Sequence, residues 1–251
     1  MDILVCVKRV PATGGRIDLT PDGQEIDVRH LGFTVSPHEE CAVEAAIQLV
    51  EEHGGSSTVL TLGPAVAEEQ LRDAMAMGVD RAQLIETDGG EWDAGATASA
   101  IVSAVRGASN PYDLLLFGNE SADSAGYQVG IRVAHALDLP CVSGIKSLEI
   151  AGEKAIAKRE IPDGWEIFEV SLPAVFTVKE GINLPRYPPL TGRLKARKKP
   201  IERIQPGAPT NRLEKVGFRL PPAQSSHVEI LGSGAEAASK AVEIFKKLGV
   251  L

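Results

Sequence analysis

Four short runs of Val, Ile and Leu, separated by longer segments with helical spacing, constrain the fold of this chain more than any other feature. The runs occupy residues 2–7, 58–62, 82–86 and 113–117. Strands that alternate with helices along a chain usually pack as a parallel sheet with helices on its faces. The sequence therefore predicts an α/β fold built on a parallel sheet.

The segments between these runs carry helix signals. The first helix should begin near Pro37, because small apolar residues then recur at three- and four-residue intervals along one face. Three more helices are predicted over residues 65–77, 94–106 and 125–137, each after a Gly, Pro, Asp or Ser signal. These helices would cover the two faces of the sheet.

The pattern changes after residue 140. Residues 142–150, 155–160, 166–172 and 174–178 read as successive strands separated by Gly and Pro, which predicts an antiparallel extension of the sheet. Residues 179–210 show no periodicity and contain a dense basic run, so we expect a long exposed loop.

The end of the chain predicts a helix outside the core. Glu236 to Leu248 has the spacing of an amphipathic helix, and the residues before it are mostly polar. We therefore expect two parts: one α/β domain over residues 1–204, with a loop at 179–203, and a C-terminal arm over residues 205–251 that docks on a partner.

Composition excludes several classes of function. The net charge of −8 disfavours a nucleic-acid surface, and the basic run from Arg193 to Arg203 lacks interleaved aromatic residues. The three cysteines form no CxxC pair, which fits a reducing compartment. No apolar run approaches the length of a membrane span and no basic leader precedes the first strand. The expectation is a cytoplasmic protein without membrane insertion or nucleic-acid binding.

Small residues follow the fourth apolar run, from Gly118 to Gly130. A strand, a turn of small residues and a helix N-terminus together form an anion site, because the first-turn N–H groups lack intrahelical partners. A phosphate would fit there. The alternative is that Ser121, Asp123 and Ser124 simply cap the helix. The turn is neither a GxGxxG fingerprint nor a Walker A motif.

The ends of the other predicted strands could form the lips of the same site. Lys8 and Arg9 follow the first run, and a solvated or interface charge pair is expected for them more than a phosphate contact. The cluster His38 to Cys41 offers no completed ligand shell, so no metal site is expected. No Ser/His/Asp set or paired carboxylate is evident, and no catalytic residue is predicted. An ATP-using α/β enzyme is the alternative, although it would need a phosphate loop after the first strand.

A long segment is recognisable. Val178 to Leu190, followed by Gly192 to Ile201, resembles the signature of electron-transfer flavoprotein beta subunits. The opening strand, the first helix after Ser36-Pro37, the segment Ala74 to Ala82 and the turn Gly118 to Gly130 also resemble that family. The family often has Asn where this chain has Ser36. The resemblance implies a Rossmann-like, adenine-nucleotide-binding sheet with an antiparallel extension, a long recognition loop and a C-terminal helical arm.

The resemblance also implies cofactors and partners. The chain would form a 1:1 heterodimer with an alpha subunit that holds most of the FAD, while AMP bound here would take no part in redox chemistry. A second FAD in the AMP site, as in electron-bifurcating relatives, is the alternative. The implied AMP contacts are Cys6, Ser36, Pro37, His38, Glu39, Leu62, Gly118, Asn119, Glu120, Ser121, Ala122, Asp123, Ser124, Ala125, Gly126, Tyr127, Gln128 and Val129.

Partner recognition is implied for the loop at 179–203. Leu190 matches the position of the family's recognition-loop leucine, which would dock flavin dehydrogenases such as acyl-CoA dehydrogenases. Electrons would then pass through FAD to a membrane quinone oxidoreductase or another acceptor. Glu160 would face the FAD domain, or would be a plain exposed strand carboxylate. The basic residues expected to steer an acidic partner are Arg193, Lys195, Lys198 and Lys199.

Overall fold

One nine-stranded sheet, parallel in its centre and antiparallel at one edge, organises the chain. The computed structural model describes residues 1–12, 14, 16–222 and 228–251. The described strands are β1 (Asp2–Cys6), β2 (Val10–Pro11), β3 (Phe33–Thr34), β4 (Ser56–Gly63), β5 (Arg81–Glu86), β6 (Leu114–Gly118), β7 (Cys141–Ala151), β8 (Lys154–Ile161), β9 (Gly164–Ser171), β10 (Ala174–Val178) and β11 (Glu202–Ile204). The described α-helices are α1 (Pro37–His53), α2 (Glu68–Met77), α3 (Ala94–Gly107), α4 (Val129–Leu137), α5 (Leu190–Ala196) and α6 (Ala237–Lys247).

The four apolar runs form the parallel centre, as the sequence predicts. The order across the sheet is β11-β5-β4-β1-β6-β10-β7-β8-β9, and Val5 of β1 lies between Val59 of β4 and Leu116 of β6. These strands read as unbroken apolar runs because both of their faces are covered. Helices α1 and α2 pack in the core on one face, and α3 and α4 in the core on the other. The parallel α/β prediction is confirmed.

The antiparallel extension is shorter than expected. Strands β7, β8 and β9 pair antiparallel as predicted, but β10 runs parallel to both β6 and β7 and lies between them. All five residues of β10 are buried. A run as apolar as Ala174-Val175-Phe176 needs cover on both faces, which the centre of the sheet provides and its edge does not. The prediction that residues 174–178 belong to the antiparallel part is wrong.

The segment 179–210 contains regular structure that its lack of periodicity hid. Helix α5 packs on α2, and Gly192 permits this approach: a Cβ there would lie 2.3 Å from the carbonyl oxygen of Ala76. Arg72 of α2 donates to the carbonyl of Ala196 at 2.6 Å. Strand β11 then pairs parallel with β5. The second half of the expected loop is therefore anchored to the domain.

Helix α4 begins at Val129 instead of residue 125. Ala125 and Tyr127 have φ values of 46° and 54°, in the left-handed region that a right-handed helix excludes. The turn between β6 and α4 is therefore longer than predicted. We call residues 119–128 the site turn.

The first compact unit, Met1–Gly217, extends beyond the predicted boundary at residue 204. The reason is local: the carboxylate of Asp93 accepts from the backbone N–H groups of Arg212 and Leu213, at 2.6 and 3.1 Å. The second unit is Phe218–Leu251, of which residues 223–227 lie outside the described part of the chain. It contains the predicted terminal helix, α6. None of the described helices has both the length and the apolarity needed to cross a bilayer.

Candidate functional site

A cavity of about 390 Å³ lies at the carboxyl ends of the central strands. Its walls include Cys6 at the end of β1, Leu62 at the end of β4, and Phe117 and Gly118 at the end of β6. Open α/β sheets bind ligands at this edge, because the strand-to-helix turns converge there. The sequence placed its candidate turns at this edge, and the structure brings three of them together.

The site turn forms one wall of the cavity, and its flanking glycines are sterically required. A Cβ on Gly118 would lie 2.6 Å from Cγ of Glu39, and one on Gly130 would lie 2.9 Å from Cγ2 of Thr177. Contacts this short would force the turn away from α1 and β10. Glycine at these two positions lets the turn pack closely against its neighbours.

No side chain caps the N-terminus of α4. The N-cap residue is Gln128, which makes no side-chain cap hydrogen bond. Ser121 and Ser124 bond to each other at 2.8 Å, and the carboxylate of Asp123 lies 2.6 Å from Nζ of Lys8. The capping role considered for these three residues is therefore wrong. The first-turn N–H groups of α4 have no side-chain oxygen in the way of an incoming anion.

Glu39 links the start of α1 to the segment that follows β1 through hydrogen bonds. Its side chain is buried, and its two oxygens accept from the backbone N–H groups of Lys8 and Ser36, both at 3.0 Å. Burial raises the pKa of the Glu39 carboxyl to about 7, against the opposing effect of these hydrogen bonds. Removal of this carboxylate would release the β1 exit and the first turn of α1 together.

Lys8 and Arg9 both line the cavity, and the exposed Lys8 pairs with Asp123. The guanidinium of Arg9 stacks on the ring of Phe33, 3.3 Å from its centroid, and burial lowers the pKa of Arg9. Its Nε is buried and has no hydrogen-bond partner among the described residues. Glu39, Glu91, Glu120 and Asp123 also line the cavity, so a negatively charged ligand would have to bind on the side where Lys8, Arg9 and the uncapped helix N-terminus lie.

Most of the implied AMP contacts line the cavity. Those on its walls are Cys6, Glu39, Leu62, Gly118, Asn119, Glu120, Ser121, Asp123, Ser124, Gly126, Tyr127, Gln128 and Val129. Ser36, Pro37, His38, Ala122 and Ala125 are absent from its walls. Of these, Ser36 is buried and its Oγ accepts from the N–H of Ala122 at 2.9 Å, so Ser36 supports the site turn from behind.

Sequence reasoning missed the loop between β5 and α3. The cavity is also lined by Gly89, Gly90, Glu91 and Trp92 of this loop and by Thr97 of α3. The available signal was position: the loop follows a parallel strand, so it opens at the same edge as the other turns. The cavity consequently has a wall that the sequence analysis did not anticipate.

The recognition segment (residues 179–203) presents large apolar side chains to solvent. Leu184, Tyr187 and Leu190 are 88%, 86% and 74% exposed. Its base is fixed: the guanidinium of Arg186 binds the carboxylates of Glu44 and Glu51 of α1, which raises the pKa of Arg186. The segment combines a fixed base with an apolar tip.

The basic residues of the recognition segment differ in environment. Lys195 and Lys198 are exposed, whereas Lys199 donates to the carbonyl of Val79 at 2.9 Å, just beyond the C-terminus of α2. Arg193 lies 3.4 Å from the carboxylate of Asp73. Lys199 therefore has a bonding role within the domain that the sequence analysis did not anticipate.

Glu160 lies on β8, opposite Trp165 of β9. Lys146 donates to its carboxylate at 2.5 Å and thereby lowers the pKa of Glu160. Trp165 is half exposed and Ile167, two residues further along β9, is more so. The carboxylate thus sits at the edge of an apolar patch on the antiparallel part of the sheet.

The cavity offers binding groups more than reactive ones. Burial strongly raises the pKa of the Cys6 thiol, which makes that thiol a poor nucleophile. Among the described residues, no group of three or more His, Cys, Asp or Glu is arranged to hold a metal ion. The arrangement suits a small anionic ligand with an apolar part.

Comparison with known proteins agrees with this geometry. A family model described as the electron transfer flavoprotein domain matches residues 26–209. A protein of Syntrophomonas wolfei named electron transfer flavoprotein subunit beta is 37% identical over 247 residues, which cover 98% of this chain and 96% of its own length. A Bacillus subtilis protein of the same name is 34% identical over 260 residues, 98% of each chain. The chain belongs to the electron transfer flavoprotein family.

Membership places the chain among the flavoproteins of electron transport. The family match includes the site turn, α1 from its first residue and the whole recognition segment. A further relative, the caffeyl-CoA reductase-Etf complex subunit CarD of Acetobacterium woodii, is 34% identical over 203 residues, 80% of this chain and 77% of its own length. The electron transfer flavoprotein family thus includes members named for reductase complexes.

Proposed function

We propose that the chain is the beta subunit of a heterodimeric electron transfer flavoprotein and that its cavity holds AMP as a structural ligand. The observation that carries the proposal is the cavity at the carboxyl ends of the central strands, closed on one side by the site turn and the uncapped N-terminus of α4. AMP has one anionic group and one apolar ring system, and the cavity offers an environment for each.

The phosphate would bind where backbone N–H groups and cations converge. Ala125 and Tyr127 lie in the left-handed region, a conformation found in the backbone turns that bind anions. Lys8 supplies a cation that is paired with Asp123 and partly exposed. These features favour a phosphate group over a neutral ligand.

The adenosine part would lie against the apolar part of the lining. Leu60 and Leu62 of β4 and Ile101 of α3 supply apolar contacts, and the side chain of Thr97 and the peptide groups of Gly89 and Gly90 can supply hydrogen bonds. Bound AMP would contribute stability by mass action on the folded state, without redox chemistry of its own. The FAD that carries electrons would lie mainly on the alpha subunit.

The recognition segment would dock flavin dehydrogenases, such as acyl-CoA dehydrogenases. Its exposed Leu190 is a suitable anchor for a pocket on the partner, and exposed lysines would steer an acidic partner. Electrons would pass from the dehydrogenase through FAD to a membrane quinone oxidoreductase or another acceptor. Glu160 would face the FAD domain of the alpha subunit, and the complex would work in the cytoplasm.

The test is to identify the nucleotides in the purified complex. The chain is coexpressed with its alpha subunit, the yellow complex is denatured, and the released nucleotides are separated and quantified. We expect AMP and FAD in equal amounts and a 1:1 ratio of subunits. A complex without any adenine nucleotide in the beta chain, or one that hydrolyses ATP steadily, would contradict the proposal.

A second FAD in place of AMP is the other candidate. It is favoured by the additional wall from the β5–α3 loop, which widens the cavity beyond the site turn, and by the similarity to subunits named for caffeyl-CoA and acryloyl-CoA reductases. The same measurement separates the two ligands. Two equivalents of FAD per heterodimer and no AMP would favour this alternative.

A further inference from the structure

Helix α1 contacts both the cavity and the recognition segment. Its first turn supports the cavity through Glu39. Further along, Asn183 donates to the carbonyl of Cys41 at 3.0 Å, and Arg186 binds the buried carboxylate of Glu44. One rigid element therefore carries groups that belong to the proposed ligand site and groups that hold the proposed docking surface.

His38 joins the two sites most directly. Its Nδ1 accepts from the backbone N–H of Glu180 at 2.8 Å, which leaves Nε2 to carry the proton and donate to the carboxylate of Glu120 at 3.1 Å. Glu120 lines the cavity, while Glu180 is the second residue of the recognition segment. A single imidazole thus connects the wall of the cavity to the base of the segment.

Glu120 is placed to respond to the contents of the cavity. Its side chain is partly exposed at the cavity wall, so a ligand packed against the site turn restricts its freedom. A fixed Glu120 orients the imidazole of His38, and only one ring orientation aims Nδ1 at the N–H of Glu180. The backbone adds a parallel link, because the N–H of Asn119 donates to the carbonyl of Val178 at 2.8 Å.

We propose that His38 is a positioning residue that couples occupancy of the nucleotide cavity to the order of residues 179–189, the part of the recognition segment that precedes Leu190. The inference rests on the proposed binding of AMP. Ligand binding then presets the docking surface, and by linkage a docked dehydrogenase strengthens nucleotide binding by the same factor. The imidazole contributes one hydrogen bond to the segment, the one it accepts from the N–H of Glu180, so the expected factor is about fivefold.

Hydrogen exchange of the heterodimer tests the coupling without a dehydrogenase. The heterodimer from which AMP has been removed is compared with the heterodimer saturated with AMP. In the wild type, AMP should slow exchange both in peptides of residues 118–130 and, by about fivefold, in those of residues 179–189. In His38→Ala the first effect should remain and the second should shrink to the part that the Asn119–Val178 backbone link carries. His38→Gln retains a donor and an acceptor, so part of the second effect should return.

Glu51→Gln is the matched control. This substitution weakens the ion pair between α1 and Arg186, and Glu51 does not line the cavity. Exchange at residues 179–189 should therefore become faster, while its response to AMP should remain intact. Protection at 118–130 alone in the wild type, or a full response in His38→Ala, would overturn the coupling and leave the proposed function standing. No protection at 118–130 in the wild type would overturn both.

Discussion

Two segments leave the sheet from paired residues on adjacent strands, and one lines the cavity while the other is exposed to solvent. Gly118 at the end of β6 and Val178 at the end of β10 are register partners. From Gly118 the chain passes along the wall of the cavity as the site turn. From Val178 it passes outward as the recognition segment, with Leu184, Tyr187 and Leu190 exposed.

The difference lies in what each segment leaves unsatisfied. The site turn leaves backbone N–H groups beside a preformed cavity, which is the requirement of a small anionic ligand. The recognition segment leaves apolar side chains in water, and Pro185, Pro188 and Pro189 restrict its backbone before any contact is made. We propose that adjacent strands thus provide a site for a small molecule and a surface for a protein.

The largest effect should come from adding a methyl group at Gly118, the residue just before the site turn. In Gly118→Ala the new Cβ would lie 2.6 Å from Cγ of Glu39 and 3.0 Å from its backbone nitrogen, so the turn or α1 must shift. We expect the free energy of unfolding to fall by about 4 kcal/mol, from overpacking and weakened hydrogen bonds. AMP should no longer copurify with the complex.

Gly107→Ala is the control, because a Cβ there meets nothing within 4 Å. It should leave the AMP content unchanged and should not lower the free energy of unfolding, measured by denaturant titration, because in a helix alanine is more favourable than glycine by roughly 0.5–1 kcal/mol. If Gly118→Ala behaves in the same way, the close approach of the site turn to α1 is not a requirement of the site.

The second effect is a pH dependence on the cavity side. Burial raises the pKa of Glu39 from 4.5 to about 7, so the folded state holds this proton more tightly than the unfolded state. The contribution of Glu39 is therefore full below about pH 4.5 and is lost as the pH rises through about 7. The loss should approach roughly 3 kcal/mol.

Glu39→Gln isolates this contribution. The variant cannot ionise, so the difference in unfolding free energy between variant and wild type should change across this pH range. Glu52→Gln, on the exposed face of the same helix, should follow the wild type. Parallel curves for wild type and Glu39→Gln would mean that the Glu39 carboxyl titrates normally in the folded protein.

The sequence predicted the cavity side well, because its signals are local. Apolar runs followed by small residues define strand ends, and the carboxyl ends of parallel strands meet at one edge. The start of α4 was misplaced since the left-handed conformation of Ala125 and Tyr127 has no signature in non-glycine residues. The β5–α3 wall was missed because nothing in its composition distinguishes it from a plain connection.

The recognition side depended on contacts distant in the chain. Helix α5 is short and forms against α2, where Gly192 approaches the carbonyl of Ala76. The placement of β10 between β6 and β7 is likewise a property of the assembled sheet, since its neighbours in sequence, β8 and β9, pair with each other instead. Local propensity carries no information on such pairings.

The third effect tests the exposed tip. Leu190→Ala should leave folding and the AMP and FAD contents intact, because its side chain is 74% exposed at the start of α5. It should weaken docking of a partner dehydrogenase by roughly 2 kcal/mol if the leucine fills a pocket. The measurement is the rate of electron transfer per flavin as a function of dehydrogenase concentration.

Leu184→Ala is the matched control, since Leu184 is still more exposed and lies on the same segment. A similar loss in both variants would indicate general hydrophobic attraction instead of an anchor. If Leu190→Ala reduces FAD content in proportion to activity, with unchanged rates per flavin, the leucine has a structural role.

The smallest effect separates two kinds of lysine within the recognition segment. Lys195 and Lys198 are exposed, so their charges act on a partner mainly during encounter. The double variant Lys195→Gln/Lys198→Gln should slow association with an acidic dehydrogenase by about threefold to tenfold at low salt and flatten the salt dependence, with little change in dissociation.

Lys199 instead donates to the carbonyl of Val79, so Lys199→Gln should lower the free energy of unfolding by about 1 kcal/mol. The association rate of the Lys199→Gln variant, per folded complex, should change less than that of the double variant. Stopped-flow association at several salt concentrations, beside denaturant titration, distinguishes the two outcomes. Equal slowing of association in the double variant and in Lys199→Gln would mean that the basic run acts as one surface, whatever its internal contacts.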